Sequence, residues 1–500
     1  MAKTTETFES LTEHLRRIDR LSSVGELLSW DEQVNLPTGS AGLRAEQASL
    51  MAELTHREAS SPLLGQLISK LGDASDQLDD GQQAVLRDAK RGYREATGLS
   101  AEFVRRRTMA HSEGFHAWLK ARESGDFKTF LPTLETNIGL AQEQASLLGA
   151  KDPYDYWLDQ FDPGLNQATV EALISPLKGE IQSLLESISA SDLKPPATTL
   201  RGFPIDRQEV FLREVVTAFG FDFERGRLDR SVHPFCGGHP LDLRMTTRFD
   251  PDNPLDSLSS AAHECGHALY EQGLPTEYSG TALGQAVGMA VHESQSRLWE
   301  NQVGRSRAFW NGWEADYRKQ FLTQLERLSS DDLYFLINRV GVGPIRVDAD
   351  EVTYNLHIML RFELEKQLIG GELKAIDLPE AWNDLSAQIL GYTPKNNAEG
   401  CLQDVHWSGG AFGYFPSYCI GNIICAQLWE TIMAALPDLE AQITAKNYAP
   451  LREWLRSHVH SLGRRYLTQD FVRTVTGRPL SHEPLIKYLK DRYGRLYEAV

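Results

Sequence analysis

Several features that would assign this sequence to other classes of protein are absent from it. It contains no run of about 18 apolar residues, so we expect no membrane-spanning helix. The first residues, MAKTTETFESLTEHLRRIDRL, contain neither an apolar core nor a cleavage motif, and we expect no signal peptide. The five cysteines are odd in number and lack CxxC spacing, which is typical of reduced thiols in a cytoplasmic protein.

The sequence also lacks an excess of positive charge. Its formal net charge is −18, from 51 Lys and Arg against 69 Asp and Glu. Because nucleic-acid-binding proteins usually carry a basic patch, we expect no nucleic-acid partner, and nothing indicates a membrane partner. Apolar residues make up 41% of the chain and charged residues 24%, which is ordinary for a globular protein, and 500 residues can bury a large core.

Apolar residues recur at spacings of three and four through most of the chain, which is the pattern of amphipathic helices. The pattern covers ETFESLTEHLRRIDRLSSVGELLSW near the start and the segments around 130–150, 166–190, 312–340, 351–369 and 422–436. Short stretches rich in Gly and Pro, such as LPTGSAG and LIGGELKAIDLP, separate these segments, and no low-complexity linker occurs. We therefore predict a mainly α-helical protein with a single domain over residues 1–500.

One stretch, residues 230–254, interrupts the helical pattern. Its sequence, RSVHPFCGGHPLDLRMTTRFDPDNP, is rich in Gly, Pro and turn-forming residues. Within it, PLDLRMTTRF alternates apolar and polar side chains, as a β-strand does. We predict a small β-sheet at about residues 230–250.

The stretch HECGH, residues 263–267, follows directly and has the spacing of a metal site. Helix-starting and helix-ending residues flank it, so we predict a helix over about 256–272. Residues four apart on a helix lie on one face about 6 Å apart, so His263 and His267 can bind one ion. Glu264 lies about 100° around the helix, where it can reach a water molecule as a general base. The cysteine of the motif faces away and is interpreted as a packing residue.

A catalytic metal site of this type needs a third protein ligand. Glu271 continues the row of the two histidines, but at 1.5 Å per residue it lies about 12 Å from His263. The next helix, predicted at about 283–303, carries His292 and Glu293 as neighbours. Because neighbours on a helix diverge by about 100°, only one of them can face the ion. We predict that Glu293 is the ligand and that His292 lies near the ligands without binding the ion.

Seven short motifs occur in order along the sequence and point to one protein family. They are HPF (233–235), DLRMT (242–246), HECGH (263–267), HESQ (292–295), IRVDAD (345–350), GCLQDVHW (400–407) and GYFPSY (413–418). Because of these motifs, the sequence resembles the thermostable-carboxypeptidase family of metallocarboxypeptidases, peptidase family M32. The resemblance runs from LLSWDEQVNLPTGSAGLRAEQ, at 28–48, to the end of the sequence.

This resemblance implies a fold, an activity and a set of site residues. The fold is a helical, saddle-like or clam-like subunit with a deep groove, similar to the helical metallopeptidases of the neurolysin and angiotensin-converting-enzyme type. The activity is release of C-terminal residues from peptides by a cytoplasmic homodimer that uses zinc (Zn²⁺), with cobalt (Co²⁺) able to replace it. The metal ligands are His263, His267 and Glu293, and Glu264 is the catalytic base.

Residues downstream of the metal helices are candidates for stabilising an oxyanion, which needs fixed hydrogen-bond donors. The resemblance to the wider group of helical peptidases assigns this role to His406 and Tyr418, with Tyr414 as the substitute. The alternative is that the tyrosines are core aromatics. Upstream, His233 in HPF is either close to the site or a turn residue.

A free C-terminal carboxylate is well matched by the planar fork of a guanidinium group. Arg346 is the predicted clamp, because it directly precedes a helix that Asp350 can cap. The alternative is an internal ion pair of Arg346 with Asp348 or Asp350. Arg244 is the competing clamp, although bracing its own strand through Asp242 is the better interpretation.

Two other functions remain open at this stage. The same metal chemistry serves an oligopeptidase that cuts internal peptide bonds. A helical binding scaffold with a structural metal is the third possibility, and Glu264 argues against it because a structural site needs no base.

Overall fold

Helices dominate the computed structural model, which describes residues 2–198 and 200–499. The α-helices described before the sheet are α1 (Ala2–Val34), α2 (Ala41–Ala59), α3 (Pro62–Gly72), α4 (Asp80–Thr97), α5 (Ala101–Ser124), α6 (Leu131–Leu147), α7 (Pro153–Phe161), α8 (Gln167–Ala190) and α9 (Ile205–Phe219). The mainly α-helical fold predicted from the sequence is therefore confirmed.

The remaining described helices follow the sheet. They are α10 (Pro254–Gly273), α11 (Met289–Arg297), α12 (Arg307–Gln320), α13 (Leu322–Leu325), α14 (Ser330–Ile337), α15 (Tyr354–Gly370), α16 (Leu378–Leu390), α17 (Pro416–Ala435), α18 (Leu439–Thr444), α19 (Ala449–His458), α20 (Thr468–Thr476) and α21 (Glu483–Leu489). Two π-helical segments, Leu298–Gly304 and Lys490–Gly494, continue α11 and α21.

Helix boundaries follow the local chemistry of the chain. The Asp79 carboxylate accepts from the Gln82 backbone N–H, and the Gln82 side chain accepts from the Asp79 N–H, which forms a capping box at the start of α4. Gly220 ends α9 with a left-handed φ of 101°, which glycine adopts without strain. The prediction of one helix over 312–340 is wrong, because this segment is divided. α12 ends before Phe321, whose backbone is not helical, and a capping box at Ser329 begins α14.

Three strands form the sheet: β1 (Gly226–Arg230), β2 (Phe235–His239) and β3 (Asp242–Thr247), in the order β1-β3-β2. β1 is parallel to β3, and β2 forms an antiparallel hairpin with it. The sheet starts slightly before the predicted 230–250. Leu243 and Met245 of β3 are fully buried and belong to the same core as α10. The sheet therefore supports the helix that carries HECGH.

The buried apolar side chains of the described residues form one large core and two small ones. The large core runs from Trp118 in α5 to Tyr497. One small core joins α1, α3 and α4 to Ala282 and Leu283, which lie in the loop between α10 and α11. The other lies between α5 and α6. The N-terminal helices are thus packed directly on the connection between the two predicted metal helices.

Membrane-spanning helices and disulfide bonds are both absent from the described residues. Across residues 2–198 and 200–499, no helix has the length and apolar character needed to cross a membrane. All five cysteines are free thiols, and four of them are buried.

Candidate metal centre

Glycines allow α10, α11 and α17 to approach closely at the predicted site. A Cβ atom on Gly266, the fourth residue of HECGH, would lie 2.6 Å from the backbone of Gln295 in α11. A Cβ atom on Gly421 in α17 would lie 2.8 Å from the side chain of Glu293. Because real Cβ contacts are longer, only glycine permits this packing. The close approach brings Glu293 over the face of α10.

The structure brings His263, His267 and Glu293 together. One ligand atom from each lies within 4.8 Å of the other two. Oε2 of Glu293 is 3.6 Å from Nε2 of His263 and 3.5 Å from Nε2 of His267. Both imidazoles therefore present the same nitrogen to one carboxylate oxygen.

The other imidazole nitrogens are held by carboxylates, directly or through a third histidine. Nδ1–H of His263 donates to Oε2 of Glu300 at 2.9 Å. Nε2–H of His292 donates to Glu271 at 2.8 Å, which leaves Nδ1 of His292 to accept from Nδ1–H of His267. Each ligand histidine is thus fixed in the tautomer that leaves Nε2 free to bind a metal.

Glu300 and Arg297 are parts of the site that the sequence reasoning missed. Arg297 donates from Nε to Glu293 at 2.7 Å and from a terminal nitrogen to Glu300 at 3.1 Å. Ser259 in α10 donates to the other oxygen of Glu300 at 2.7 Å. The sequence contained a pattern that could have predicted them, because Glu293, Arg297 and Glu300 have the 0, 4, 7 spacing of one helix face.

Charge and burial set the protonation of these groups. Burial raises the pKa of Glu293, but Arg297 and the histidines outweigh it and hold that pKa well below its usual range. Burial and the neighbouring His292 lower the pKa of His267 to about 3. A carboxylate and a neutral imidazole are the forms that bind a divalent metal.

Glu264 lies beside the three candidate ligands and is 8% exposed. Burial raises the pKa of its carboxyl to about 7, against the opposite effect of His263. It lines a cavity of about 880 Å³ together with His263, Arg297, Arg346 and Tyr418. A carboxyl group whose pKa lies near neutrality is suited to accept and release a proton there.

The second metal helix starts later than predicted. Residues 282–284 form a 3-10 turn, and α11 begins only at Met289, not near 283. Gly288 is extended, and the carboxylate of Asp162 accepts from the Ala290 N–H at 2.8 Å. This buried carboxylate also accepts from Ser417, at 2.6 Å, at the start of α17. Asp162 thus fixes the first turns of α11 and α17. No local pattern in the sequence predicts this contact.

Arg346 is in an ion pair, but with neither of the two partners considered from the sequence. Nε and one terminal nitrogen donate to Oδ1 of Asp404 at 2.9 and 2.8 Å, and the other terminal nitrogen donates to the Tyr354 hydroxyl at 3.1 Å. Asp350 instead accepts from the backbone N–H groups of residues 352 and 353, just before α15. Arg346 is 6% exposed and lines the same cavity as Glu264.

The predicted oxyanion donors form an aromatic group. The Tyr414 and Tyr418 rings are 5.3 Å apart, and the His406 ring is 5.4 Å from Tyr414. Tyr418, in the first turn of α17, lines the cavity, and Arg346 lies 5.4 Å from its ring centre. His406 is held against Phe415, with ring centres 4.5 Å apart, and its Nδ1 has no hydrogen-bond partner among the described residues.

The two upstream candidates lie on or beside the sheet. Arg244 donates to both carboxylate oxygens of Asp242, at 2.7 and 2.9 Å, and lies over the Trp30 ring. This is the bracing contact considered from the sequence. His233 is exposed in the turn between β1 and β2. Neither residue is among the described side chains that line the 880 Å³ cavity.

The donor set fits a divalent metal ion of the zinc type. Two imidazole nitrogens and one carboxylate oxygen converge, and carboxylates fix the far side of the imidazoles. Three protein ligands with space for a substrate are typical of a catalytic zinc site, and the neighbouring cavity provides that space.

Comparison with known proteins agrees with this geometry. The sequence model described as carboxypeptidase Taq (M32) metallopeptidase matches residues 10–493. Thermostable carboxypeptidase 1 of Thermus thermophilus is 38% identical over 505 residues, covering 98% of this chain and 99% of the relative. Carboxypeptidase 1 of Bacillus subtilis is 35% identical and covers 97% of each chain.

A solved structure extends the similarity to the fold. The crystal structure of an M32 carboxypeptidase from Deinococcus radiodurans superimposes with a TM-score of 0.95 at 39% identity, over 99% of this chain and 100% of that chain. The chain therefore belongs to the carboxypeptidase Taq (M32) family and is a metallopeptidase of the carboxypeptidase type.

Proposed function

We propose that the protein removes residues one at a time from the C-terminus of peptides, with zinc bound by His263, His267 and Glu293 and with Glu264 as general base. The observation that carries the proposal is that Glu264 and Arg346 line one cavity beside the three candidate ligands. A base and a carboxylate-binding group on one cavity are what removal of a terminal residue requires.

The reaction divides between the metal and the side chains around it. A zinc ion bound there, or cobalt in its place, would supply Lewis acidity for the peptide carbonyl and lower the pKa of a water molecule. Glu264 accepts the proton of the attacking water and passes it to the leaving amine. Burial supports this role, because it raises the pKa of Glu264 to about 7, so the carboxyl group can both accept and release a proton near neutral pH.

Arg346 binds the C-terminal carboxylate in this proposal. A guanidinium has five N–H groups, and three of them donate to Asp404 and Tyr354, which leaves one on each terminal nitrogen. These two remaining donors can meet both oxygens of a carboxylate. The contacts with Asp404 and Tyr354 hold the group in place before the peptide arrives, so little side-chain entropy is lost on binding.

Tyr418 is the proposed hydrogen-bond donor to the developing oxyanion, with Tyr414 and His406 beside it. Its place in the cavity lining supports the role, and burial raises its pKa well above the usual range, so the hydroxyl keeps its proton. A protonated phenol in a buried site is an effective donor to developing negative charge. A homodimer and a cytoplasmic location are part of the proposal through the family alone.

The test compares peptides with free and amidated C-termini. A charged hydrogen bond is worth about 1.5–3 kcal/mol, so amidation should lower kcat/KM by about 10- to 150-fold. Arg346→Lys should show a similar loss on free peptides and little further loss on amidated ones, because an ammonium group cannot reproduce the fork. Arg244→Lys is the matched control and should keep the discrimination of the unmodified protein.

Mass spectrometry of the digest provides the second readout. Stepwise cleavage gives a ladder that shortens from the C-terminus. Internal fragments, or equal rates on free and amidated peptides, would replace the proposal with an oligopeptidase. Bound metal without any peptide hydrolysis would leave a binding scaffold.

A further inference from the structure

A buried arginine behind the proposed carboxylate site is the feature from which this inference starts. Arg361 is 0% exposed and lies in α15. Its Nε donates to Oδ2 of Asp404 at 2.7 Å, while Arg346 binds Oδ1 of the same carboxylate. A terminal nitrogen of Arg361 donates to the His357 carbonyl at 2.7 Å. One carboxylate thus lies between two guanidinium groups.

The charges of this cluster do not cancel. Two arginines and one aspartate sum to +1, from +2 and −1. The ring centre of Phe415, a residue of the large core, lies 5.4 Å from both guanidinium carbons. A buried unpaired charge is costly unless an anion meets it, and only Arg346 of the two arginines lines the cavity.

The neighbouring titratable groups do not neutralise the net charge of +1 on Arg346, Arg361 and Asp404. Burial lowers the pKa of His357 to about 3 and that of His406 to about 4, so both rings are neutral near pH 7. Glu365, the further acid near Arg361, accepts from three neutral donors, the Trp407 indole, the Gly413 backbone and the Tyr154 hydroxyl. Burial raises its pKa to about 7, so it is not a fully ionised counter-charge.

We propose that Arg361 is a positioning residue that neutralises Asp404 from behind and so keeps the positive charge of Arg346 available to the substrate's C-terminal carboxylate. Without Arg361, Asp404 would neutralise Arg346, and an incoming carboxylate would meet a pair with no net charge. The inference rests on the proposed function, because it requires that Arg346 binds the terminal carboxylate.

Neutral and conservative substitutions of Arg361 test the role of its charge. Arg361→Met keeps an unbranched side chain but brings the cluster charge to zero. It should raise KM for free peptides on the order of tenfold, the scale of coupling between close charges, with kcat little changed. Rates on amidated peptides should not change. Arg361→Lys keeps the charge and should retain most of the discrimination between free and amidated peptides.

A double variant separates charge from structural damage. In Arg361→Met/Asp404→Asn, Arg346 is the only charge, so the cluster returns to +1. This variant should recover most of the KM lost in Arg361→Met, whereas general damage would accumulate. Arg492→Met is the matched control, because Arg492 is a buried arginine beside another acid, Glu351, and it should leave the ratio of free to amidated rates unchanged.

The outcomes distinguish this inference from the proposed function. If the unmodified protein does not prefer free peptides, the proposed function fails and the inference fails with it. If it does, then unchanged KM in Arg361→Met, equal losses in the Lys and Met variants, or no recovery in the double variant would overturn the inference alone. Should Arg361→Met not fold, the double variant decides, since a ratio of free to amidated rates near one would overturn it.

Discussion

Replacement of Glu300 by glutamine tests how far a carboxylate behind a ligand histidine controls metal affinity. Oε2 of Glu300 accepts from His263 at 2.9 Å and from Arg297 at 3.1 Å. Glutamine keeps the shape and one acceptor oxygen but removes the charge. We expect Glu300→Gln to bind zinc more weakly, because the imidazole loses an anionic partner that makes its Nε2 a stronger donor to the metal.

The size of the effect follows from the hydrogen bond that changes. A bond to a charged group contributes about 1.5–3 kcal/mol and a neutral one about 0.5–1.5 kcal/mol, so the charge of Glu300 is worth about 1–1.5 kcal/mol. This corresponds to a loss in affinity of about 5- to 10-fold for Glu300→Gln. Glu300→Ala also loses the acceptor and should approach the upper end of the 10- to 100-fold range typical of such partners.

Zinc affinity is measured by competition with a chromophoric chelator, without reference to activity. Glu351→Gln is the matched control, because Glu351 is also 8% exposed and accepts instead from the hydroxyls of Tyr488 and Tyr493. Its affinity for zinc should equal that of the unmodified protein. Equal affinities for all variants would refute the reasoning, and equal losses in Glu300→Gln and Glu351→Gln would assign the effect to general destabilisation.

The remaining predictions concern the base, a ligand, a buried acid and the assembly. Glu264→Gln should keep its zinc but lose about 10²–10⁴-fold in kcat, and a loss below about tenfold would assign proton transfer to another group. Glu293→Ala should mainly lower the metal content after dialysis, and an unchanged content would contradict its role as a ligand. Burial gives Asp162 a pKa of about 6 in the folded state, against an ordinary value of 3.8. Between these values the folded state binds more protons than the unfolded one, so stability relative to Asp162→Asn should rise as pH falls from 7 toward 4. Parallel pH profiles of thermal unfolding would contradict this. Light scattering at micromolar concentration should give the mass of a homodimer, and a monomer mass would refute it.

The features that the sequence predicted well are those in which neighbours along the chain determine the geometry. Apolar spacing and helix-ending residues predicted a helix over 256–272, and α10 covers Pro254–Gly273. The four-residue spacing of His263 and His267 places them on one face of that helix in any tertiary context. Helix geometry also predicted that only one of His292 and Glu293 could face the ion, and the structure places Glu293 beside both histidines.

Contacts between distant segments were decided by the tertiary structure alone. Asp404, the partner of Arg346, lies 58 residues away in sequence, and no local periodicity connects the two positions. The late start of α11 depends on Asp162, which lies 128 residues before the amide that it accepts from. Buried polar groups must find partners wherever packing places them, so the identity of each partner depends on how the helices assemble. The sequence by itself determined which side chains could hold a metal, because one helix and its neighbour present them. Only the packing of α10, α11, α15 and α17 decided which charged groups surround those side chains.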